Sequence, residues 1–146
     1  IDRIQPFDLV KLLGQGWGIE EQDERSLALT QVNLAKVQLE HMLKKGEDRV
    51  TGEEKLNRLR KAKSIRLDAK VFQTLWENQN LPEQWKEKTN GNTTFIYCDG
   101  TVLRSPNGYR YVLFFYFDDG AWNWVYDWLG LGWDVGDPSA VLASKS

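Results

Sequence analysis

Between Tyr109 and Trp133 the chain places eleven of its eighteen aromatic residues, and they fall at alternate positions on either side of Asp118-Asp119-Gly120. A period of two is the pattern of a strand, and Asp-Gly suits a two-residue type I′ turn because both central positions need positive φ. With Asp119-Gly120 as that turn the register follows: Phe117 faces Trp122, Phe115 faces Trp124, Leu113 faces Tyr126 and Tyr111 faces Trp128. One face of this hairpin is almost wholly aromatic. The other pairs Tyr116 with Asn123, Phe114 with Val125 and Val112 with Asp127, apolar but broken by polar groups.

At 146 residues, 41% hydrophobic and 27% charged, the chain has the composition of one globular domain, residues 1–146. A chain of this size buries roughly two-thirds of its unfolded surface and needs neither metal nor disulfide for stability. Cys98 is the only cysteine. That count and the absence of a visible signal peptide suggest a cytoplasmic setting by default, although the chain begins at Ile1 and a leader can have been removed. No apolar run approaches the roughly eighteen residues that span a bilayer, so no membrane span is expected. The net charge of −2 hides an asymmetry: seven basic residues and one acidic residue lie between Lys55 and Lys70, whereas five aspartates and only Lys145 follow from Asp118 onward.

Helical signals dominate residues 1–88. After Pro6, the run Phe7, Leu9, Val10, Leu12 and Leu13 predicts a short helix ended by Gly14-Gln15-Gly16-Trp17-Gly18. The stretch from Ile19 to Lys45 has no Gly or Pro and reads as a helix stopped by Gly46, with the polar residues 20–25 left open at its start. Thr51 with Glu54 is a capping-box pattern that opens a basic helix through Leu56, Leu59 and Ala62. Asp68 is placed to cap another helix with Val71, Phe72, Leu75 and Trp76 on one stripe. The run from Asn78 to Pro82, Asn80 included, breaks it, and Glu83 to Lys88 adds one more turn around Trp85.

From Thr93 the period changes to two. Thr94 to Cys98, a turn at Asp99-Gly100, Thr101 to Arg104, a turn at Ser105-Pro106-Asn107-Gly108, and the aromatic hairpin predict a four-strand antiparallel meander over 93–146. The run Ala140-Val141-Leu142-Ala143 closes the sheet as a last short strand or tucks under it. The fold class is therefore α+β, with N-terminal helices packed on one face of a C-terminal sheet.

For function, the aromatic face is either core or contact surface. Trp122, Trp124, Tyr126, Trp128 and Trp133 stand among Asp, Asn and Gly, the company aromatic residues keep in recognition surfaces. A second reading takes Lys55, Arg58, Arg60, Lys61, Lys63, Arg66 and Lys70 as a phosphate-contacting stripe of a nucleic-acid-binding regulator, against a solvated helix face. A third pairs Cys98 as nucleophile with His41, the only histidine, placed in the helix ending at Lys45. One His and one Cys fall short of a zinc site, and Asp118, Asp119, Asp127, Asp134 and Asp137 match no calcium-loop spacing. Gly14-Gln15-Gly16 lacks the third glycine and preceding strand of a dinucleotide fingerprint, so no cofactor or metal is expected.

Four strings carry a resemblance: Glu21-Gln22-Asp23-Glu24-Arg25-Ser26-Leu27-Ala28-Leu29, Thr51-Gly52-Glu53-Glu54-Lys55-Leu56, the run from Ile65 through Val71-Phe72-Gln73-Thr74-Leu75-Trp76 to Gln79, and Pro138-Ser139-Ala140-Val141-Leu142-Ala143-Ser144. Through them the chain resembles small uncharacterised proteins of reduced-genome candidate-phylum bacteria. Its last hairpin is similar to the variable segment of diversity-generating retroelement proteins, in which a C-terminal stretch is rewritten and displayed on a C-type-lectin-like scaffold to bind ligands. That resemblance implies ligand-binding, variable positions at Asp118, Asn123, Val125, Tyr126, Asp127, Gly130, Leu131, Val135, Gly136 and Asp137. It implies a scaffold role for Trp122, Trp124, Trp128, Leu129 and Trp133. The chain departs from the pattern in being short and in its extended helices. The expectation is a non-catalytic recognition module for a protein or small-molecule ligand.

Overall fold

A computed structural model describes residues 4–79 and 81–143. Ile1, Asn80 of the helix-breaking run, Ser144 and Lys145 thus lie outside the described residues. The elements are α1 (Leu9–Leu13), β1 (Gly18–Gln22), α2 (Glu24–Leu27), β2 (Gln38–Glu40), β3 (Val50–Thr51), α3 (Gly52–Lys61), β4 (Ile65–Arg66), α4 (Ala69–Asn78), β5 (Phe95–Arg104), β6 (Arg110–Asp118), β7 (Ala121–Trp128), β8 (Gly132–Trp133) and β9 (Ser139–Leu142), with 3₁₀ turns at Leu34–Lys36 and Glu83–Lys86. A seven-stranded, mostly antiparallel sheet runs β2-β9-β5-β6-β7, with β1 added on β5 and β4 on β9; β3 and β8 pair separately. The class is α+β.

The aromatic hairpin has the expected register. Eight pairs run from Tyr111–Trp128 to Asp118–Ala121, including Phe117–Trp122, Phe115–Trp124 and Leu113–Tyr126. Asp119 (φ 51°) and Gly120 (φ 76°) both occupy the left-handed region that a type I′ turn demands. Local caps also form as the residues dictate. Thr51 Oγ1 accepts from the Glu54 amide at 3.2 Å to open α3, and the Asp68 carboxylate accepts from the Val71 amide at 3.1 Å to open α4. The α1 helix, the turn around Trp85, the turn at residues 105–108 and a last strand at β9 are likewise where the sequence places them.

Three expectations are corrected. The helix from Ile19 to Lys45 does not form: β1 pairs with β5, and Asp23 and Asn33 each turn a side-chain oxygen onto the amide two residues ahead, starting only short pieces. Those local bonds win because this stretch has no sustained apolar stripe to bury as a long helix. Gly46 keeps its positive φ of 88° but sits within the loop of residues 41–49, and His41 lies in that loop.

Second, Asp99-Gly100 is not a hairpin turn. Phe95 to Arg104 is one strand with a bulge between Cys98 and Leu103, so the meander has three strands, β5-β6-β7. The reason is tertiary: the Gly100 amide donates to the Leu67 carbonyl at 2.8 Å, its carbonyl accepts from the Asp23 amide at 2.6 Å, and the Asp99 carbonyl accepts from Arg66 Nη1 at 3.0 Å. Third, the sheet is neither confined to the C-terminal half nor covered on one face only. β1, β2 and β4 come from the first half. Ile96, Cys98, Leu103, Leu113 and Phe115 pack on Val71, Phe72 and Leu75 of α4 in one core, whereas Tyr97, Val102, Val112 and Val141 pack on Leu56 and Leu59 of α3 in another. The period-two pattern of β5 and β6 serves both layers, which is why nearly all of β5 is buried.

At Gly100 a Cβ would lie 2.7 Å from the Leu67 carbonyl oxygen and closer still to that of Arg66. Both obstacles are backbone. Gly100→Ala should cost roughly 3 kcal/mol or more in urea unfolding, while Gly18→Ala, where a Cβ meets open space, should cost well under half of that; equal effects would mean that β5 is not pressed against the segment 66–67.

Candidate ligand-recognition surface

Alternation along β7 sends Trp122, Trp124, Tyr126 and Trp128 to one side of the sheet and Asn123, Val125 and Asp127 to the other. On the first side the two ends differ. Trp122 meets Phe117 and Phe115, and Trp124 meets Phe72 edge-on, at centroid separations of 5.4, 6.4 and 5.8 Å, so both brace the first core. Phe72 itself stacks on Phe115 at 4.1 Å. Toward the other end the helices stop covering the sheet. There Tyr126 sits 4.8 Å from Trp17 and 5.1 Å from Tyr111, and Trp128 sits 5.9 Å from Tyr109. Tyr109, Tyr126 and Trp128 remain 52%, 40% and 44% exposed. The rings hold one another in edge-to-face contact while keeping a side to solvent, which makes a rigid aromatic platform.

Trp128 also lies over Gly130, where a Cβ would come within 2.6 Å of its ring. Any side chain at Gly130 therefore moves the indole.

The other side of the hairpin is anchored by a buried polar assembly. Tyr97 Oη donates to Asp127 Oδ2 at 2.8 Å, and Asp127 Oδ1 accepts from the Trp128 amide at 3.0 Å. Tyr97 stacks on Trp133 at 4.3 Å, and the Lys55 ammonium lies 5.4 and 5.0 Å from the two ring centres. Lys55 Nζ donates to the Asp137 carbonyl, and Asp99, wholly buried, is bonded to Ser139 Oγ. Burial pulls Lys55 down to about 8 against the pull of Asp99 and Asp137, and burial pushes Asp137 up to about 6. The Tyr97 hydroxyl is pushed up by burial and by Asp127, so it stays a donor. Asp134 Oδ1 accepts from the Gly136 amide at 2.7 Å, and Asp137 Oδ2 from the Asp134 amide at 2.9 Å, which folds 134–137 into a tight turn. Beside that turn a cleft of about 280 Å³ is lined by Thr89, Asn92, Phe95, Asp134, Val135 and Gly136.

The residues singled out for ligand contact are thus distributed over three places. Asp118 is exposed at the hairpin turn; Val125 and Tyr126 are exposed on opposite faces of β7; Gly130, Leu131 and Val135 are exposed in the segment that follows. Asn123 is half-buried and donates to the Ala121 carbonyl at 3.2 Å. Asp127, Gly136 and Asp137 are half-buried, and the two aspartates are engaged within the chain as described. Among the tryptophans and Leu129 assigned to the scaffold, Trp133 and Leu129 are buried and Trp122 and Trp124 half-buried, but Trp128 stands outside.

Sequence reasoning missed Trp17 and Tyr109 as platform members and Lys55 as a core residue. The last was readable: Gly52, Lys55, Leu56 and Leu59 share one helical stripe, and all four are buried.

The other two constellations come apart. Lys55 is in the core, Arg58 is paired with Glu47 and Glu54, and Arg60 with Glu21. Arg66 is buried beside Asp23, and Lys70 donates to the Leu27 and Leu29 carbonyls. Among the described residues Lys61 and Lys63 are left as the cations of that stripe with neither an ion pair nor a hydrogen bond from the ammonium. Cys98 is fully buried in the first core with its thiol pushed well up, whereas Met42, next to His41, packs on the second core across the sheet. Among the described residues no group of three or more His, Cys, Asp or Glu is placed to hold a metal ion, and no helix is long and apolar enough to cross a membrane. Comparison of the chain with protein families, with curated proteins and with solved structures returns no match.

Lys55 gives a pH signature. A lysine whose folded value is lowered binds fewer protons folded than unfolded between about 8 and the ordinary 10.5, so its penalty on stability is full below that window and relieved as pH rises through it. The difference in unfolding free energy between the wild type and Lys55→Met should rise by about 3 kcal/mol from pH 8 to 10.5; a flat difference would place the ammonium in water.

Proposed function

We propose that the chain is a non-catalytic recognition module that binds a protein or small-molecule ligand through the outer end of its C-terminal hairpin and the segment to Asp137. The observation that carries this reading is the platform itself: Tyr109, Tyr126 and Trp128 are each 40% or more exposed, with Tyr126 held edge-on by Trp17 and Tyr111, and Tyr109 and Trp128 edge-on to each other. Large apolar rings left in water cost free energy unless a partner covers them, and rings immobilised in advance lose little entropy on binding. Leu131 is exposed in the segment that follows Trp128, whereas Asp118 lies at the far turn, Val135 beside the cleft at residues 134–137, and Asn123 and Asp127 on the opposite face of β7, so the platform rests on its rings.

The finer reading is that this surface is the variable segment of a diversity-generating retroelement protein. Asp118, Val125, Tyr126, Gly130, Leu131 and Val135 belong to neither buried core, so their replacement leaves the packing of both layers alone, as a rewritten surface requires. What supports a C-type-lectin-like scaffold is the pair of ten-residue helices, α3 and α4, packed on a mostly antiparallel sheet.

The test is selection of ligands from a glycan array and a random-peptide display library with the wild-type protein. Tyr126→Ala and Trp128→Ala should weaken the selected ligands on the order of tenfold or more, as truncating an interface aromatic does, and Ile19→Ala and Leu27→Ala, exposed elsewhere, should not. Ligands indifferent to Tyr126 and Trp128 would overturn the assignment. For the finer reading, a reverse-transcriptase gene next to a near-copy of the coding stretch for residues 117–137 is expected, and uniform sequence across that stretch in sibling strains would remove it.

A further inference from the structure

The outer edge of β7 is an unsatisfied row of backbone groups with a symmetry of its own. In a two-residue hairpin the pair flanking the turn exchanges both hydrogen bonds, and every second pair does so after it. Here that pair is Asp118–Ala121, so Ala121, Asn123, Val125 and Asp127 aim their backbone groups at β6, and the Leu129 amide still reaches the Arg110 carbonyl at 3.2 Å. Trp122, Trp124, Tyr126 and Trp128 aim theirs away from the sheet. Trp128 is closed off, its amide bonded to Asp127 Oδ1 at 3.0 Å and its carbonyl to the Leu131 amide at 3.1 Å. Trp122, Trp124 and Tyr126 keep six donors and acceptors without a partner among the described residues, on a sheet in which β7 is terminal.

We propose that this edge pairs with the same edge of a second copy of the chain, antiparallel, about a two-fold axis at Trp124. Trp124 then faces its own copy and Trp122 faces Tyr126, which uses all six groups. Sliding the pairing by two residues either sets Trp122 against the closed Trp128 or leaves Tyr126 opposite the turn at Gly120. The side chains agree with the backbone. On one face the rings of Trp122, Trp124 and Tyr126 continue from copy to copy; on the other, Val125 meets Asn123 and Ala121 meets Asp127, and no two like charges are opposed. Strands that stay at the edge of monomers carry lysine, proline or a bulge pointing outward, and β7 pairs through eight successive residues without any of them. A free extended peptide would satisfy the same six groups but would not, by symmetry, supply the matching ring strip.

The pairing also sets the Asp118-Asp119-Gly120 turn of the second copy beside Trp128 of the first. Within one chain these lie at opposite ends of β7, roughly 24 Å apart. The recognition surface proposed above would then draw on both copies, but the dimer itself does not depend on that reading, because its test uses no ligand.

Sedimentation velocity of the wild type from low-micromolar to sub-millimolar concentration should show a monomer–dimer equilibrium. Val125→Asp, at an exposed position, should abolish the dimer while its circular dichroism, and its thermal melt at dilutions where the wild type is monomeric, stay at wild-type values. Oxidising an equimolar mixture of Asn123→Cys and Val125→Cys proteins should trap the disulfide-linked heterodimer, since those positions face each other across the axis, and Val125→Cys alone should give none; Cys98 is buried and does not compete. A wild type that stays monomeric throughout, a dimer unaffected by Val125→Asp, or cross-linking of Val125→Cys to itself in place of the heterodimer would each overturn the proposal.

Discussion

Two positive φ angles, at Asp119 and Gly120, determine where every side chain of the hairpin goes. A type I′ turn matches the twist of the strands it joins, so it admits one register, and a slip of a single residue would send each ring to the wrong side of the sheet. In the register it imposes, Phe115 reaches Phe72 of α4 while Val112 reaches the layer under α3. The two cores are therefore consequences of one turn. So is the division of β7 into a buried end, where Trp122 and Trp124 lie against the first core, and a solvent-facing end, where Tyr126 and Trp128 project beyond it.

The bulge of β5 carries an electrostatic cost that both layers share. Lys55, Arg66, Asp23, Asp68 and Asp99 are buried around the bulge of β5, and burial moves Lys55, Asp68 and Asp99 toward their neutral forms. Such groups add little net stability, because desolvation offsets most of their attraction. Their geometry shows what they accomplish instead. Arg66, Asp23 and Thr101 bond to the backbone of residues 99, 66 and 69, tying β5 to the segment that enters α4, and Lys55 ties the turn at Asp137 to α3. Tyr97 and Asp127 extend this polar anchoring to the underside of β7, so that strand is stiffened from both faces.

What could be read from the residues was what local chemistry decides. Thr51 with Glu54, Asp68 with Val71, and Asp119-Gly120 act within a few bonds, and each forms as expected. Asp99-Gly100 is the same kind of dipeptide, yet it lies in mid-strand, because the carbonyls of Arg66 and Leu67 need a residue without a Cβ beneath them. Nothing near residue 100 announces that distant contact. The stretch after Ile19 failed for a related reason: β1 exists only because β5 offers it an edge, and Asp23 serves α2 and Arg66 together. The platform was half legible. Tyr126 and Trp128 stood out by alternation, whereas Trp17 arrives from a glycine loop more than ninety residues away and Tyr109 lies outside the paired register. Asp137 looked available by composition, but its carboxylate is turned onto the Asp134 amide.

Residue-by-residue amide hydrogen exchange of β7, measured on dilute protein, reads the hairpin register and the open edge together. Exchange should alternate: slow at Asn123, Val125 and Asp127, whose amides point at β6, and fast at Trp122, Trp124 and Tyr126, whose amides point outward. Uniform protection at every dilution would mean that the chain covers its own edge. Uniform fast exchange would mean that the hairpin, and the surface built on it, does not form.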